Sequence, residues 1–498
     1  MKKLLLLMLI GFLAACESSP VMQEEEVVLE PVVAESTLVY HLTHLGIVRE
    51  FTYRVGEQLS LDPISRAGFV FDGWYLDEAL TQQVSRITMP AEAVALYPKW
   101  IEEKIIVIND QLLDELPFDI TPRQMLSVPA ICQIVSPLVE RGVVTGFPIP
   151  SKRVPSVGKV NVQVMFIDFP DYEGTRSDAE LNSFFEDYLV GIEHFFNTQS
   201  SGLIQFDWRL HSGFVRMDFN FYDYNFSRGI YGQSNDIDTV YRKAILASDP
   251  LIDYTDIDLV VVFLNPDIPE ELADVSRVLL MDIETQEKTI FNGTFIAGDG
   301  VRLGWVTIAH EIGHLLGLVD LIDYNWRNNS NSEDWFYQFV YVGGFDFMGA
   351  SPRYEWGDNT ELFGWHKFML NWIVPEQVRC LEQRNTGTTT HSIARNHETT
   401  LDEKLIVIKL STHRALVIES KGENEFCTAC LGGVYTSLID TTLDSGNGSM
   451  KLLRPAHSTN RFFLDAYLTK DQELNFENIV VKNLGEHNGK VIVSVDIK

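Results

Sequence analysis

Two histidines and a glutamate, His310, Glu311 and His314, have the His-Glu-x-x-His spacing that can do hydrolytic metal chemistry. On a helix, residues four apart lie one above the other, so the imidazoles of His310 and His314 converge on one point. Glu311 stands beside that point, where a general base is needed. The spacing therefore predicts a metal site with two histidine ligands and an adjacent general base.

Gly317 and Asp320 extend this motif. A left-handed residue at a helix end costs Gly little, so the chain can reverse at Gly317 and return Asp320 as a third, anionic ligand. Asp323, three residues further on, is the alternative third ligand. Three protein ligands leave one coordination position open, which is typical of catalytic zinc sites. We expect a catalytic Zn²⁺ held by His310, His314 and Asp320.

A bare His-Glu-x-x-His pattern also arises by chance on amphipathic helices, so its surroundings matter. Two histidines and a glutamate inside a buried helix are costly unless they have partners, and a metal ion suits them best. The apolar residues that predict such a helix are Trp305, Ile308, Ala309, Ile312, Leu315 and Leu316.

Length and charge exclude some classes of protein. The chain of 498 residues is too long for one hydrophobic core, so we expect three or four folded units in a multidomain α+β protein. The 39 Lys and Arg against 70 Asp and Glu give a formal net charge of −31, which repels nucleic acid and anionic lipid. We therefore expect no nucleic-acid partner.

The first residues predict the compartment. Lys2 and Lys3 precede an apolar run over residues 4–15, which is too short to span a bilayer and ends at Cys16. Residues 1–16 resemble a bacterial lipoprotein signal, which implies lipidation of Cys16. An ordinary secretory signal is the alternative. Residues 17–35 carry six Glu and no basic residue, as in an acidic tether. We expect an exported protein, lipid-anchored to the bacterial cell membrane or outer surface.

A small β-rich module is predicted over residues 36–101. Its strands are expected at residues 38–42 and 47–55, and residues 68–75 place aromatics about a Gly turn. These residues resemble the internalin-type B repeat, a β-grasp-like module of bacterial surface proteins. Trp74 and Trp100 either form a binding face or lie in the core, and the core is favoured. Residues 102–157, with an expected strand at 105–108, form a connecting or propeptide-like segment.

A catalytic domain is predicted over residues 158–379. It begins with a strand at residues 160–167, and Ser177 and Glu180 form a capping box for a backing helix. Further strands at residues 203–206 and 259–264 predict a mixed sheet before the metal helix, as in the upper subdomain of a zincin. The apolar face of the backing helix is Leu181, Phe184, Phe185, Tyr188, Leu189, Ile192, Phe195 and Phe196.

Five segments resemble the immune inhibitor A family of secreted metallopeptidases. They are residues 168–171, 200–202, 310–320, 345–349 and 364–373, within a match that spans roughly residues 158–440. The resemblance implies a zincin, metzincin-like fold, with His310, His314 and Asp320 as zinc ligands and Glu311 as catalytic base. It also implies that Met348 forms the turn beneath the metal.

Two further features near the motif are weaker signals. Tyr354 follows Met348 shortly and is a candidate oxyanion donor, although a plain surface or core Tyr is the more common case. The Asn- and Ser-rich segment at residues 328–332 is interpreted as a solvated loop, with Ca²⁺ binding as the alternative.

Short strands at residues 405–408, 415–418 and 491–495 predict a C-terminal β-sandwich-like domain over residues 380–498. Apart from Cys16, four cysteines remain, which permits two disulfides in an exported protein. Cys427 and Cys430 either form a local bridge or belong to different bridges. A further hypothesis is that Cys132 blocks the zinc as a latency switch. The other cysteine is Cys380.

Two functions from different classes fit these patterns. The first is a surface-anchored zinc metalloendopeptidase that hydrolyses extracellular proteins or peptides. The alternative is a non-enzymatic adhesion or binding lipoprotein that uses the protease fold as a scaffold. An intact Glu311 favours the enzyme, because a site that has lost its catalytic activity has no physical need for a base between two histidines.

Overall fold

The structure is a computed structural model of the chain. It describes residues 35–42, 47–61, 69–102, 132–226, 236–269, 271–273, 275–297, 304–330, 335–349, 361–428, 430–460 and 463–498. Cys16, the strand expected at residues 105–108 and Tyr354 lie outside these ranges. The described residues fall into two compact units, one within Met1–Pro63 and Gly73–Lys99 and the other within Ile64–Asp72 and Trp100–Lys498.

The first unit is built from strands, as the sequence predicts. Leu38, Trp74 and Leu96 are buried, which confirms the core interpretation of Trp74 over a binding face. Trp100, the first residue of the longer range of the second unit, is half-buried. One sheet has the order β2-β1-β7-β4-β5, and β3 pairs with β6. The strands are β1 (Glu35–Leu42), β2 (Ile47–Arg54), β3 (Gln58–Ser60), β4 (Phe69–Tyr75), β5 (Gln83–Val84), β6 (Arg86–Thr88) and β7 (Val94–Glu102).

The second unit opens with a five-stranded mixed sheet of order β11-β12-β10-β8-β9. Strand β8 pairs in parallel with β9 and β10, β10 pairs in parallel with β12, and β11 is an antiparallel edge strand. Two of these strands, β11 and β12, were not predicted, because their apolar alternation is interrupted. The strands are β8 (Gly158–Asp168), β9 (Ile204–Arg216), β10 (Leu259–Leu264), β11 (Ser276–Glu284) and β12 (Thr289–Ile296).

Helices cover both faces of this sheet. The predicted capping box begins α1 (Asp178–Gln199), where Ser177 Oγ accepts from the backbone of Glu180 and the Glu180 carboxylate accepts from the backbone N–H of Ser177. Successive β8 side chains point to opposite faces. Those on one face pack against α1 and α3 (Trp305–Leu315), and those on the other pack against α2 (Ile237–Ser248).

The C-terminal region consists of two sheets that share a hydrophobic core. In β15, Ile406 and Ile408 face this shared core, whereas Leu405 and Val407 face the core that contains α1 and α3. The hydrophobic core is therefore continuous across residues 379 and 380, where the sequence placed a domain boundary. The sheet orders are β13-β15-β16-β17-β18 and β14-β21-β20-β19. The strands are β13 (Val378–Glu382), β14 (Gly387–Ile393), β15 (Leu405–Lys409), β16 (Arg414–Lys421), β17 (Gly433–Asp440), β18 (Met450–Leu452), β19 (Glu473–Phe476), β20 (Ile479–His487) and β21 (Lys490–Ile497).

Two disulfides join the four cysteines of this unit. Cys427 bridges to Cys430, so the local bridge is confirmed, and Cys132 bridges to Cys380. The latency-switch hypothesis is wrong for Cys132, because its sulfur is bonded to Cys380 and cannot bind a metal. None of the helices among the described residues is long and apolar enough to cross a membrane.

The described part of the connecting segment, residues 132–157, packs into the second unit. Its backbone N–H groups at Val144 and Val154 donate to the carbonyls of Gly317 and Leu315, at 2.9 and 3.0 Å. This segment therefore supports the end of α3. Two short helices complete the fold, α4 (Trp326–Ser330) and α5 (Gly364–Met369). The protein is a multidomain, sheet-rich α+β protein, as the sequence predicts.

Candidate metal centre

The helix α3 carries the His-Glu-x-x-His motif and ends where the sequence predicts. Gly317 adopts a φ of +102°, and the backbone N–H of Leu318 donates to the carbonyl of Gly313 at 3.0 Å. A Cβ at Gly317 would lie 2.8 Å from Ile149 Cγ2, so a side chain here meets both strain and a clash. The chain turns sharply after Gly317 and returns towards the helix.

This turn brings the three predicted ligands together. His310 Nε2 lies 3.1 Å from Asp320 Oδ1, and His314 Nε2 lies 3.4 Å from Asp320 Oδ2. One ligand atom from each residue lies within 4.8 Å of the others, and the two imidazole planes are perpendicular. The two histidines are buried, and Asp320 is mostly buried.

The outer nitrogens of the two imidazoles are held by backbone carbonyls. His310 Nδ1 lies 3.4 Å from the Phe347 carbonyl, and His314 Nδ1 lies 2.9 Å from the Leu318 carbonyl. An Nδ1 proton donated to a carbonyl leaves the Nε2 lone pair directed at the shared point. Two lone pairs and a carboxylate that converge repel one another unless a cation lies between them. The residues therefore fit a divalent metal ion such as Zn²⁺.

The electrostatics of the cluster favour a positive charge. Burial alone lowers the pKa of His314, but the Asp320 carboxylate and, to a smaller extent, Glu311 raise it to about 9. Burial raises the pKa of Asp320, but the two neighbouring histidines hold it well below its usual range. The negative charges of Asp320 and Glu311 would stabilise a metal ion between the ligands as they stabilise a proton on His314.

Glu311 is buried, with 6% of its surface exposed. It follows His310 on α3, and its charge is close enough to act on His314. Glu311 is therefore a buried ionisable group next to the candidate ligands.

Met348 packs against α3. It is fully buried, and a Cβ at Gly313 would lie 2.6 Å from its Sδ. Asp346 Oδ1 accepts the backbone N–H of Met348 at 2.8 Å, and Asp346 Oδ2 lies 3.1 Å from His366 Nδ1. This buried pair fixes the turn that carries Met348. Sequence reasoning did not assign Asp346 or His366, although both lie in segments that carry the family resemblance.

Asp323, the alternative third ligand, is not part of the cluster. Its Oδ1 accepts the backbone N–H of Asn325 at 2.8 Å, just before α4 begins. A hydrogen bond to Tyr341 accompanies this, and burial together with Asp323 raises the pKa of Tyr341 to about 12. Asp323 therefore supports a turn, whereas Asp320 faces the histidines.

Tyr324 and Ser445 contact Asp320, and neither was assigned from the sequence. The Tyr324 hydroxyl donates to Asp320 Oδ2, and the backbone N–H of Asp320 donates to Ser445 Oγ at 2.9 Å. Tyr324 lies only four residues after Asp320, so a search for hydrogen-bond donors near the third ligand would have found it. Ser445 is 125 residues away and becomes visible only in the fold.

A second group of metal-ligand types, Glu361 with Cys427 and Cys430, is a weaker candidate. Its cysteines form a disulfide, so they offer no thiolate, and Glu361 already pairs with Lys367 at 3.2 Å and Lys421 at 3.4 Å. Of the Asn- and Ser-rich segment, the first residues lie in α4 and residues 331–332 lie outside the described ranges. The alternative of Ca²⁺ binding there stays a prediction.

Comparisons with known proteins add little to this site. The chain matches no family model and no curated protein. Among solved structures it is similar to wild-type OgpA from Akkermansia muciniphila, with a TM-score of 0.27 and 10% identity over 60% of this chain and 92% of that chain. A similarity at this level carries no argument about fold or function.

Proposed function

We propose that the protein is a zinc metalloendopeptidase that hydrolyses peptide bonds of extracellular proteins. One observation carries the proposal: the ligand atoms of His310, His314 and Asp320 converge within 4.8 Å, while the outer nitrogens of both histidines face backbone carbonyls. Two nitrogens and one carboxylate form the ligand set of several catalytic zinc sites, and they leave one position open for water or substrate. The carboxylate of Glu311 beside them supplies the base.

A bound zinc ion supplies a Lewis acid that polarises a peptide carbonyl and makes water acidic. The residues of the chain do the rest. Glu311 accepts the proton of the attacking water and passes it to the leaving amine. The carbonyls of Phe347 and Leu318 hold the two imidazoles in place, and Met348 packs against α3 at Gly313. Burial keeps bulk water away from the base and strengthens its interaction with a charge nearby.

The finer fold assignment belongs to the same proposal. A mixed sheet, a backing helix α1 between its first two strands in sequence, and a motif helix α3 after its last strand support a zincin, metzincin-like domain. The Met348 turn under α3 supports the resemblance to the immune inhibitor A family. The strand-rich first unit supports an internalin-type B repeat of β-grasp-like fold, in keeping with a protein at the bacterial surface.

Substitution of the base and of one ligand tests the chemistry on residues 17–498. Glu311→Gln is expected to retain about one zinc per chain yet lose nearly all activity on denatured casein, because no group accepts the proton of water. His314→Ala is expected to lose both zinc and activity. Metal content and casein cleavage, each with and without chelator, are the measurements. Normal proteolysis by the Glu311→Gln protein would refute the mechanism.

The lipid anchor on Cys16 is proposed from the sequence and has its own test. Burial of acyl chains contributes about 0.8 kcal/mol per CH₂, so two or more chains attach a protein stably to a membrane. Cys16→Ser is expected to abolish labelling by a fatty-acid probe. Wild-type protein that stays unlabelled and partitions into the aqueous phase would contradict a lipoprotein.

A further inference from the structure

The loop between β17 and β18 contacts the third candidate ligand from more than 100 residues away in sequence. The backbone N–H of Asp320 donates to Ser445 Oγ at 2.9 Å, and its carbonyl accepts from the backbone N–H of Gly446 at 3.1 Å. Both backbone groups of Asp320 are therefore bound by two consecutive residues of the C-terminal region. The orientation of Asp320 depends on where that loop lies.

Tyr324 also contacts Ser445 and Gly446, and it contacts Asp320 as well. Its backbone N–H donates to the Gly446 carbonyl at 3.1 Å, and its hydroxyl donates to Asp320 Oδ2. The hydroxyl also lies 3.4 Å from Ser445 Oγ. Asp320 Oδ2 is the oxygen nearer to His314 Nε2, so the phenol holds the carboxylate rotamer that faces the histidines.

Gly446 is required for this close approach. Its φ is +72°, and a Cβ there would lie 2.3 Å from ring carbons of Tyr324. Any side chain at this position would displace the Tyr324 ring and with it the hydroxyl that contacts Asp320. The glycine, the serine and the tyrosine thus form one unit, which we call the 320 clamp, consisting of Tyr324, Ser445 and Gly446.

We propose that the 320 clamp positions Asp320 for the metal, so that a loop of the C-terminal region acts together with Tyr324 to strengthen zinc binding at ligands that all lie in the catalytic domain. This inference rests on the proposed zinc site. A carboxylate that is already fixed binds a metal without first losing rotamer freedom, and partners of this kind typically change metal affinity 10–100-fold. Tyr324, Ser445 and Gly446 are positioning residues, since they act through Asp320.

The test measures the zinc dissociation constant of the full chain by chelator competition, with the melting temperature of the metal-free protein measured alongside. Tyr324→Phe removes one hydroxyl, and we expect zinc binding to weaken about 10-fold or more while the metal-free protein melts as before. Ser445→Ala is expected to act in the same direction with a smaller effect. Gly446→Ala is expected to weaken zinc binding at least as much as Tyr324→Phe.

Gly448→Ala is the matched control. It lies in the same loop at a φ of +77°, and its Cβ would meet Lys451 and Tyr341 rather than Tyr324. We expect it to carry the same backbone strain as Gly446→Ala and to leave the zinc dissociation constant unchanged. An equal weakening by both glycine variants, with Tyr324→Phe at the wild-type value, would overturn the positioning role.

A His314→Ala arm separates the two proposals. Zinc bound by His314→Ala as tightly as by the parent would refute the metal site and the proposed function with it. Loss of zinc in His314→Ala, with wild-type affinity in Tyr324→Phe, Ser445→Ala and Gly446→Ala, would refute the 320 clamp alone.

Discussion

Asp320 and Asp323 are two aspartates three residues apart, and their carboxylates make different contacts in the structure. Asp320 lies 3.1 Å from His310, whereas Asp323 accepts the backbone N–H of Asn325 before α4. Spacing alone left both as candidates for the third ligand, because the direction of the chain after Gly317 cannot be derived from the motif. The left-handed turn at Gly317 brings Asp320, and not Asp323, next to the histidines.

Removing each carboxylate in turn tests this division. Asp320→Ala takes away the carboxylate proposed as the anionic ligand and is expected to weaken zinc retention strongly. It is also expected to destabilise the metal-free protein, because it removes the charge that faces buried His314. Asp323→Ala is expected to keep zinc but to lower the free energy of unfolding by about 1 kcal/mol, because it removes the acceptor of the Asn325 backbone N–H. Metal content after dialysis and urea unfolding of the metal-free proteins are the measurements. The reverse ranking in zinc retention would assign the ligand to Asp323.

Two buried carboxylates give the protein opposite pH dependences. Burial raises the pKa of Glu419 to about 7, so its contribution to stability is present below about pH 4.5 and is lost as the pH rises through 7. Burial also acts on Glu361, but Lys421 and Lys367 lower its pKa to about 2, so its contribution is lost as the pH falls from about 4.5 towards 2. Among the described residues, Glu419 Oε1 has no hydrogen-bond partner, in keeping with a poorly compensated charge.

We therefore expect Glu419→Gln to stabilise the protein at pH 8 by about 1–3 kcal/mol and to have little effect at pH 4, where the glutamate is already neutral. The amide keeps an oxygen that can accept from Gly364 and Asn396. Glu361→Gln is the control, and it is expected to destabilise at pH 8 because it leaves two buried lysines short of their counterion. Urea unfolding at both pH values measures the differences. A stability gain of Glu419→Gln that is the same at pH 4 and pH 8 would contradict the raised pKa.

At the scale of elements, the sequence predicts those whose pattern is local. The capping box at Ser177 and Glu180 marks the start of α1, and the all-apolar run of β10 marks a buried parallel strand, which the structure shows at Leu259–Leu264. Strand β9 extends far beyond residues 203–206. The sequence did not predict its second half, because the half-buried residues there do not alternate cleanly between apolar and polar. The contact of Ser445 with Asp320 could not be predicted, since it depends on how a sandwich loop meets the turn after α3.

The packing of α1 on α3 depends on one glycine. Gly191 lies inside α1, where a glycine costs up to about 1 kcal/mol relative to alanine. Glycine is needed at this position because a Cβ would lie 2.2 Å from the Trp305 ring at the start of α3 and clash with it. The same ring stacks with Phe347 at a centroid distance of 6.4 Å, and the Phe347 carbonyl faces His310. This contact therefore connects helix packing with the candidate metal centre.

Gly191→Ala is expected to lower the free energy of unfolding by about 1–3 kcal/mol, since overpacking outweighs the gain in helix propensity. In a Trp305→Leu background, where the ring is gone, the same substitution is expected to be neutral or stabilising. The difference between the two backgrounds is the coupling energy of a double-mutant cycle. Equal effects of Gly191→Ala in both backgrounds, measured by urea unfolding, would show that the helices do not meet through this ring.

At the scale of the whole molecule, the C-terminal region is part of the same folded body as the motif helix. One face of β15 and β16 packs in the core that contains α1 and α3, and the other face packs against the second sheet. Cys132 and Cys380 join residues 248 positions apart, and closing a long loop of the unfolded chain stabilises the folded state. The boundary expected at residue 380 followed a change in sequence pattern, and a change in pattern does not show whether a core ends there.

A truncated chain that ends at residue 379 tests whether the motif helix folds without the C-terminal region. It lacks Val407, Ala415, Val417 and Tyr435, which are all buried in the core that contains α3. Burying each of the larger side chains contributes about 1.5–3 kcal/mol, so the joint loss of all four is comparable with the whole stability of an ordinary domain, about 5–15 kcal/mol. We expect residues 17–379 to be insoluble or to lack a cooperative unfolding transition and zinc, whereas residues 17–498 fold and bind it. A soluble, monomeric 17–379 protein that unfolds cooperatively and retains zinc would show that the catalytic domain is independent of the sandwich.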